Sequence, residues 1–260
     1  MAKTGTAERI YLLNGGLAFA PDKSMYSPGL FVGETVALSC NAYLIRRAGE
    51  WILWDTGISD AIFNEIGGKL IAHGIRAVVA RPIEKQLAEI GVAPREIARV
   101  ILSHGHFDHA GNCSLFPHAK WYIQQAEYAA MFGPHFADYG YIPDFYKSIR
   151  ESQMEQVKGD LDLFGDQSVR LLATPGHTPG HMSLLLRLPT AGSIILTADA
   201  AHFRFNLEHC LVPKINSNIA DSLRSMDRLN EVARAERAQL WFNHDISQNA
   251  TIPHAPSWLE

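Results

Sequence analysis

Short apolar runs broken by polar turns dominate the chain. Runs of strand length fall at Arg9–Leu13, Asn41–Ile45, Trp51–Trp54, Arg99–Leu102, Trp121–Ile123, Val169–Ala173, Met182–Leu188, Ser193–Thr197 and Gln239–Phe242. Three intervening segments carry a helical spacing instead. Pro82–Ile90 sets Ile83, Leu87 and Ile90 on one face and stops at Gly91. Gln124–Phe132 ends at Gly133-Pro134, and Asn218–Ala235 aligns Leu223, Met226, Leu229 and Val232. Strands interleaved with helices predict an α/β fold whose sheets are covered by helices.

Two segments stand outside that layered pattern. Ile58–Arg81 is rich in Ile, Gly and Ala, and Phe132–Phe164 is dense in aromatics (Phe132, Phe136, Tyr139, Tyr141, Phe145, Tyr146). Long excursions of this kind are either lids and binding loops or packed insertions, a homodimer contact included. The sequence leaves both readings open. There is no short repeat and no low-complexity linker, so residues 1–260 are expected to form a single domain.

Composition narrows the function. The chain has 260 residues, 47% hydrophobic and 19% charged, with net charge -4. That length supports a large buried core. Nucleic-acid binding is not expected, because Lys and Arg are not clustered. Nor is a membrane role: Met1–Gly5 lacks an apolar signal region, and no run is long enough to span a bilayer. Cys40, Cys113 and Cys210 are widely spaced and odd in number, which argues against a disulfide framework and for a reducing, cytoplasmic setting.

The candidate chemistry sits where strands end. Ser103-His104-Gly105-His106-Phe107-Asp108-His109 directly follows the apolar run Val100–Leu102. Thr174-Pro175-Gly176-His177 follows another strand, Asp199 a third, and His244 the last. Strand ends are rigid supports that converge at one sheet edge, as a metal site requires. His104 and His106 alternate and so point the same way on extended backbone. Seven donors are enough for two divalent ions, zinc above all. His104, His106 and His177 are assigned to a first ion, and Asp108, His109 and His244 to a second, with Asp199 bridging. A closed structural zinc site would use four ligands rich in Cys, and no cysteine neighbours the cluster in sequence. His181 reads as a packing or supporting residue. Asp55, in Trp54-Asp55-Thr56-Gly57, is expected either to fix the tautomer of a ligand histidine or to serve as a turn residue.

Together these residues resemble the metallo-β-lactamase superfamily. The carriers are His104-Gly105-His106-Phe107-Asp108-His109, His177, Asp199 and His244, with Asp55-Thr56-Gly57 and Thr174–His181. The resemblance implies an αβ/βα sandwich: two facing mixed sheets, helices on the outer faces, and a dinuclear site at one edge. Within the superfamily the chain looks most like the quorum-quenching N-acyl homoserine lactonases, through Phe107–Asn112, Gln124–Tyr128 and Phe242–Ile246. It departs from them at His202, where these lactonases usually carry a tyrosine three residues after the bridging aspartate.

The implied reaction is lactone opening by a metal-bridging hydroxide. His202 would stabilise the oxyanion, and Asp108 would be both ligand and proton carrier. Phe107 is a candidate for the substrate pocket or for packing under its loop. Phe19, Met25, Tyr26, Phe136 and Tyr141 are candidates for an apolar acyl-chain groove. The alternatives are hydrolysis of another lactone or ester, such as a γ-butyrolactone, and a metal-binding protein without catalysis.

Overall fold

Side-chain alternation decides which layer each strand residue covers. In β1 (Arg9–Ala20), Ile10 and Leu12 turn to one side and Tyr11 and Leu13 to the other, and all four are buried. A strand buried on both faces belongs to a sheet sandwiched between layers. The computed structural model describes residues 5–260; Met1–Thr4, most of the stretch read above for a signal segment, lie outside the described residues.

The first sheet adds β2 (Val36–Arg47), β3 (Glu50–Trp54), β4 (Lys69–Leu70), β5 (Arg76–Val78), β6 (Ile97–Ile101), β7 (Lys120–Gln124) and β8 (Met154–Val157). Its order is β4-β5-β1-β2-β3-β6-β7-β8. The second sheet contains β9 (Leu161–Asp162), β10 (Val169–Ala173), β11 (Met182–Leu188), β12 (Gly192–Leu196) and β13 (Gln239–Trp241), in order β13-β12-β11-β10-β9. Both sheets are mixed: β3-β6-β7-β8 and β12-β13 pair parallel, the others antiparallel.

The two sheets face each other across one core. Ile10, Leu12, Tyr43, Ile52 and Trp54 of the first meet Leu171, Leu184, Leu186, Ile194 and Leu196 of the second. The first sheet's outer face packs on Ile83 and Leu87 of helix Ile83–Glu89 and on Met131 of helix Gln125–Phe132. The second sheet's outer face packs Leu172, Leu185 and Ile195 on Leu229 of helix Ile219–Glu236. That helix starts where the Asn218 side chain accepts the Asp221 N–H at 3.0 Å, and it ends at Arg237 in the left-handed region, φ 50°. The αβ/βα sandwich expected from the sequence is therefore the fold.

The differences lie at the edges. β1 runs past Leu13 because a bulge at Asn14–Leu17, which includes Gly15 and Gly16, lets pairing with β2 resume at Leu17. In Ile58–Arg81, β4 and β5 extend the first sheet beyond β1. In Phe132–Phe164, Tyr141, Tyr146 and Ile149 are buried in the helix-facing core of the first sheet. Packing, not a free lid, accounts for much of that aromatic density.

Candidate metal centre

Five strand ends meet at one edge of the sandwich. The parallel pair β3 and β6 delivers Asp55 and Ser103–His109, while β10, β12 and β13 end together and deliver His177, Asp199 and His244. The Met182 N–H donates to Ser103 O at 3.1 Å and ties the two edges together. Every one of the seven predicted donors reaches the same place.

They divide into two groups around one carboxylate. His104 Nε2 and His177 Nε2 each lie 3.0 Å from His106 Nδ1, and 3.9 and 3.4 Å from Asp199 Oδ2. On the other side, His109 Nε2 and His244 Nε2 lie 3.1 and 3.0 Å from Asp199 Oδ1, and 3.9 and 3.7 Å from Asp108 Oδ2. Ligand atoms about 2.1 Å from one tetrahedral ion stand about 3.4 Å apart, so both groups have the dimensions of a metal shell. Asp199 turns Oδ2 toward the first group and Oδ1 toward the second, with His244 Nε2 also 3.1 Å from Oδ2.

The outward-facing nitrogens argue the same way. His104 Nδ1 meets Ser103 Oγ at 3.0 Å, His106 Nε2 the Tyr139 carbonyl at 2.7 Å, and His109 Nδ1 Asp55 Oδ2 at 2.8 Å. His177 Nδ1 meets Asn216 Oδ1 at 2.9 Å, and His244 Nδ1 the Ser39 carbonyl at 2.8 Å. An imidazole that donates outward to oxygen keeps its other nitrogen's lone pair facing inward, as a metal ligand needs. His109 Nε2 is buried and has no hydrogen-bond partner, although Asp199 Oδ1 stands 3.1 Å away.

His202 differs from these five. Its Nε2 is 3.2 Å from Asp199 Oδ2, but its Nδ1 is buried with no partner. It is stacked on His244 with centroids 5.2 Å apart, and the Tyr26 ring lies 4.8 Å away on another side.

Supporting residues hold the ligand loops in register. Asp55, at φ 56°, accepts from Ser103 N (2.7 Å), Ser103 Oγ (2.8 Å) and His109 Nδ1 (2.8 Å). Left-handed backbone at a non-glycine carries strain that the carboxylate's three bonds offset. Asp55 thus stands where it can hold the His109 ring, and its φ also makes it a turn residue. His181 accepts the Asp199 backbone N–H at Nε2 (2.9 Å) and donates from Nδ1 to the Thr174 carbonyl (3.0 Å). The Gly176 turn has φ 135°, and a Cβ there would stand 2.3 Å from Ser222 N, so only glycine lets the His177 loop dock on the long helix.

Two residues of the site were not found by sequence reasoning. The buried Glu127 carboxylate accepts from Gly105 N (2.9 Å), Thr178 Oγ1 (2.7 Å), Gly180 N (3.0 Å) and Tyr141 Oη (2.5 Å). It joins the His104–His106 loop to the His177–His181 loop. Cys40 on β2 places Sγ 3.6 Å from Asp108 Oδ2. Glu127 signalled itself only as a polar residue inside an apolar helical pattern, and Cys40 gave no signal.

The predicted groove residues separate. Met25, Tyr26 and Phe107 pack in one cluster with Phe203, beside His202. Phe136 packs against the helix-facing core of the first sheet, away from that cluster. Phe19 is 41% exposed on β1. Tyr141 stands apart from that cluster: its hydroxyl donates to the buried Glu127 carboxylate, so it braces the site.

The charges fit a cation. Burial opposes charging His109 and His244, but Asp199 overrides it; His109 lies well above its ordinary value and His244 is pushed up to about 9. Burial raises Asp199 less than its facing histidines lower it, so it stays ionised. Burial holds His104 and His177 well below the ordinary value, as neutral ligands. Protons on His109 and His244 thus occupy positions a divalent cation would take.

Comparison with known proteins agrees with this geometry. The profile of the metallo-beta-lactamase superfamily matches residues 35–231. An N-acyl homoserine lactonase of a Bacillus species is 31% identical over 98% of this chain and 100% of its own. The N-acyl homoserine lactonase AiiA of Bacillus thuringiensis subsp. kurstaki is 30% identical with the same coverage. A solved structure of an N-acyl homoserine lactone hydrolase, with its product N-hexanoyl-L-homoserine at the catalytic metal centre, superposes with TM-score 0.85, at 29% identity and over 98% of this chain and 100% of that one. With its fold, its strand-end donors and these relatives in agreement, the chain belongs to the metallo-β-lactamase superfamily.

Proposed function

We propose that this chain is a dinuclear metal-dependent hydrolase that opens the lactone ring of N-acyl homoserine lactones. The observation that carries the metal reading is the set of five histidines whose outward nitrogens are each engaged by oxygen while the inward ones surround Asp199. The substrate class is supported by the relatives named N-acyl homoserine lactonase, which align over their whole length.

His104, His106, His177 and Asp199 would hold one ion, and Asp108, His109, His244 and Asp199 the other. Zinc suits this nitrogen and oxygen donor set. When bound, such a pair supplies a hydroxide nucleophile at neutral pH and Lewis-acid polarisation of the ester carbonyl.

The chain's own residues do the rest. His202, kept neutral by burial, offers its Nε2–H beside Asp199 Oδ2, where it can donate to the lactone carbonyl oxygen as charge develops. Asp108 can carry a proton to the leaving oxygen through a carboxylate oxygen not engaged as a ligand. Asp55, His181 and Glu127 keep the donors from drifting. Met25, Tyr26 and Phe107 give an apolar wall that excludes water beside His202 and can seat an acyl chain.

A second reading keeps the hydrolase and changes the substrate to another lactone or ester. His202 favours it, because an imidazole in the place of a phenol alters what the site can hold. Rates on N-hexanoyl and N-decanoyl homoserine lactone, γ-butyrolactone and an aryl ester separate the two. Preference for the acyl homoserine lactones supports the first reading; equal or faster turnover of unrelated lactones overturns it. The core shared by both sheets supports one domain over residues 1–260. No helix among the described residues is long and apolar enough to cross a membrane. The free Cys40, Cys113 and Cys210 support a reducing compartment.

A further inference from the structure

Cys40 is the one group at the centre that the proposed reaction leaves unused. It lies mid-strand on β2, fully buried. Its neighbours in sequence both hold the loop that delivers His244. Ser39 O takes the His244 Nδ1–H at 2.8 Å, and Asn41 N donates to Asn243 Oδ1 at 3.2 Å. The thiol between them is therefore aimed from the same rigid strand that positions a metal ligand.

The dimensions are those of a coordination shell. Sγ is 3.6 Å from Asp108 Oδ2, and Asp108 Oδ2 is 3.7 Å from His244 Nε2. Sulfur, carboxylate oxygen and imidazole nitrogen all fall within 4.8 Å of one another. A zinc ion with sulfur at about 2.3 Å and oxygen at about 2.1 Å separates those two ligands by about 3.6 Å. His109 Nε2, buried with no hydrogen-bond partner, lies 3.9 Å from the same Asp108 Oδ2.

We infer that Cys40 Sγ is an additional ligand of the second metal position, beside Asp108, His109, His244 and the bridging Asp199. The inference rests on the dinuclear reading of the site. On coordination the thiol would release its proton to bulk water, and the thiolate would take the place of a water ligand other than the hydroxide nucleophile. The two positions are then unlike in chemistry. The first has imidazole and carboxylate only; the second has a soft donor as well and selects thiophilic ions such as zinc, cobalt or cadmium over manganese.

Cobalt(II) reports both levels separately. The chelated, full-length chain is titrated with cobalt alone and followed by absorption. Visible d–d bands report a filled nitrogen and oxygen site, and a near-ultraviolet sulfur-to-cobalt band reports Cys40. The expected result is visible bands over two equivalents, with the sulfur band growing with the equivalent that fills the second position. Cys40→Ser should keep the visible bands and lose the sulfur band, although Cys113 and Cys210 remain. Its affinity at the second position should fall by at least the roughly tenfold that outer partners of ligands confer. Cys40→Ala should repeat this. Visible bands without a sulfur band in the wild-type chain, or a sulfur band that survives in both variants, overturn the inference and leave the dinuclear reading intact. No cobalt bands at all would remove both.

Discussion

The ring of His181 holds the backbone of Asp199: its Nε2 accepts the Asp199 N–H at 2.9 Å, while Nδ1 donates to the Thr174 carbonyl at 3.0 Å. A bridging carboxylate must present one oxygen to each side, and this bond sets the backbone from which it does so. His181→Phe keeps the ring and removes both bonds, leaving two buried backbone groups unpaired. A loss of about 1–3 kcal/mol is expected for such a group. Thermal denaturation measures it. Burial pushes His181 down to about 3. Between its ordinary value and about 3 the unfolded chain binds a proton that the native chain refuses, so stability falls as pH falls through that window. His181→Phe should show a shallower decline there; an unchanged pH slope would mean that His181 does not titrate as described.

Asp55 turns His109 so that Nε2 faces Asp199. Asp55→Asn weakens that hold and the preference for the inward lone pair. Metal affinity at the second position should fall roughly 10- to 100-fold. Competition with a chromophoric chelator reads this directly. Unaltered affinity would reduce Asp55 to a turn residue.

Tyr141→Phe tests the reassignment of an aromatic from groove to brace. Glu127 loses one of four donors, and stability should drop by about 1–3 kcal/mol. The ratio of kcat/KM between decanoyl and hexanoyl homoserine lactone should stay as it was. A changed chain-length preference would put Tyr141 back in the groove.

His202→Ala should lower kcat by about 10²- to 10³-fold, the usual cost of losing one oxyanion donor. Metal content should not change, because His202 lacks the outward oxygen partner that the five histidines proposed as ligands have. Loss of metal along with rate would make His202 a ligand instead.

The convergence of the seven proposed donors was legible because each follows an apolar run, and a strand that ends in a histidine or aspartate has few directions in which to send it. The apolar run that opens β1 and the Met226–Leu229 spacing of helix Ile219–Glu236 were legible for the same local reason, whereas Leu223, aligned with them in the sequence, is exposed. What was hidden depends on partners far along the chain. Nothing in Gln124–Tyr128 tells that Glu127 will receive Gly180 N, 53 residues away. Cys40 reads as one more apolar strand residue until β2 is seen against Asp108, 68 residues on. β4 was missed because Lys69 and Leu70 are both exposed and carry no alternation to read. The aromatics of Phe132–Phe164 signalled burial but not which face they would bury.

Metal stoichiometry measured together with rate separates a dinuclear hydrolase from the alternatives. The purified chain is chelated, reloaded with zinc in fractional equivalents, and assayed on N-hexanoyl homoserine lactone at each step, with bound zinc determined by elemental analysis. Two ions per chain, no hydrolysis after chelation, and a rate that returns only as the second ion is taken up are expected. A single tightly held ion per chain, or undiminished hydrolysis by the metal-free protein, would contradict the dinuclear reading.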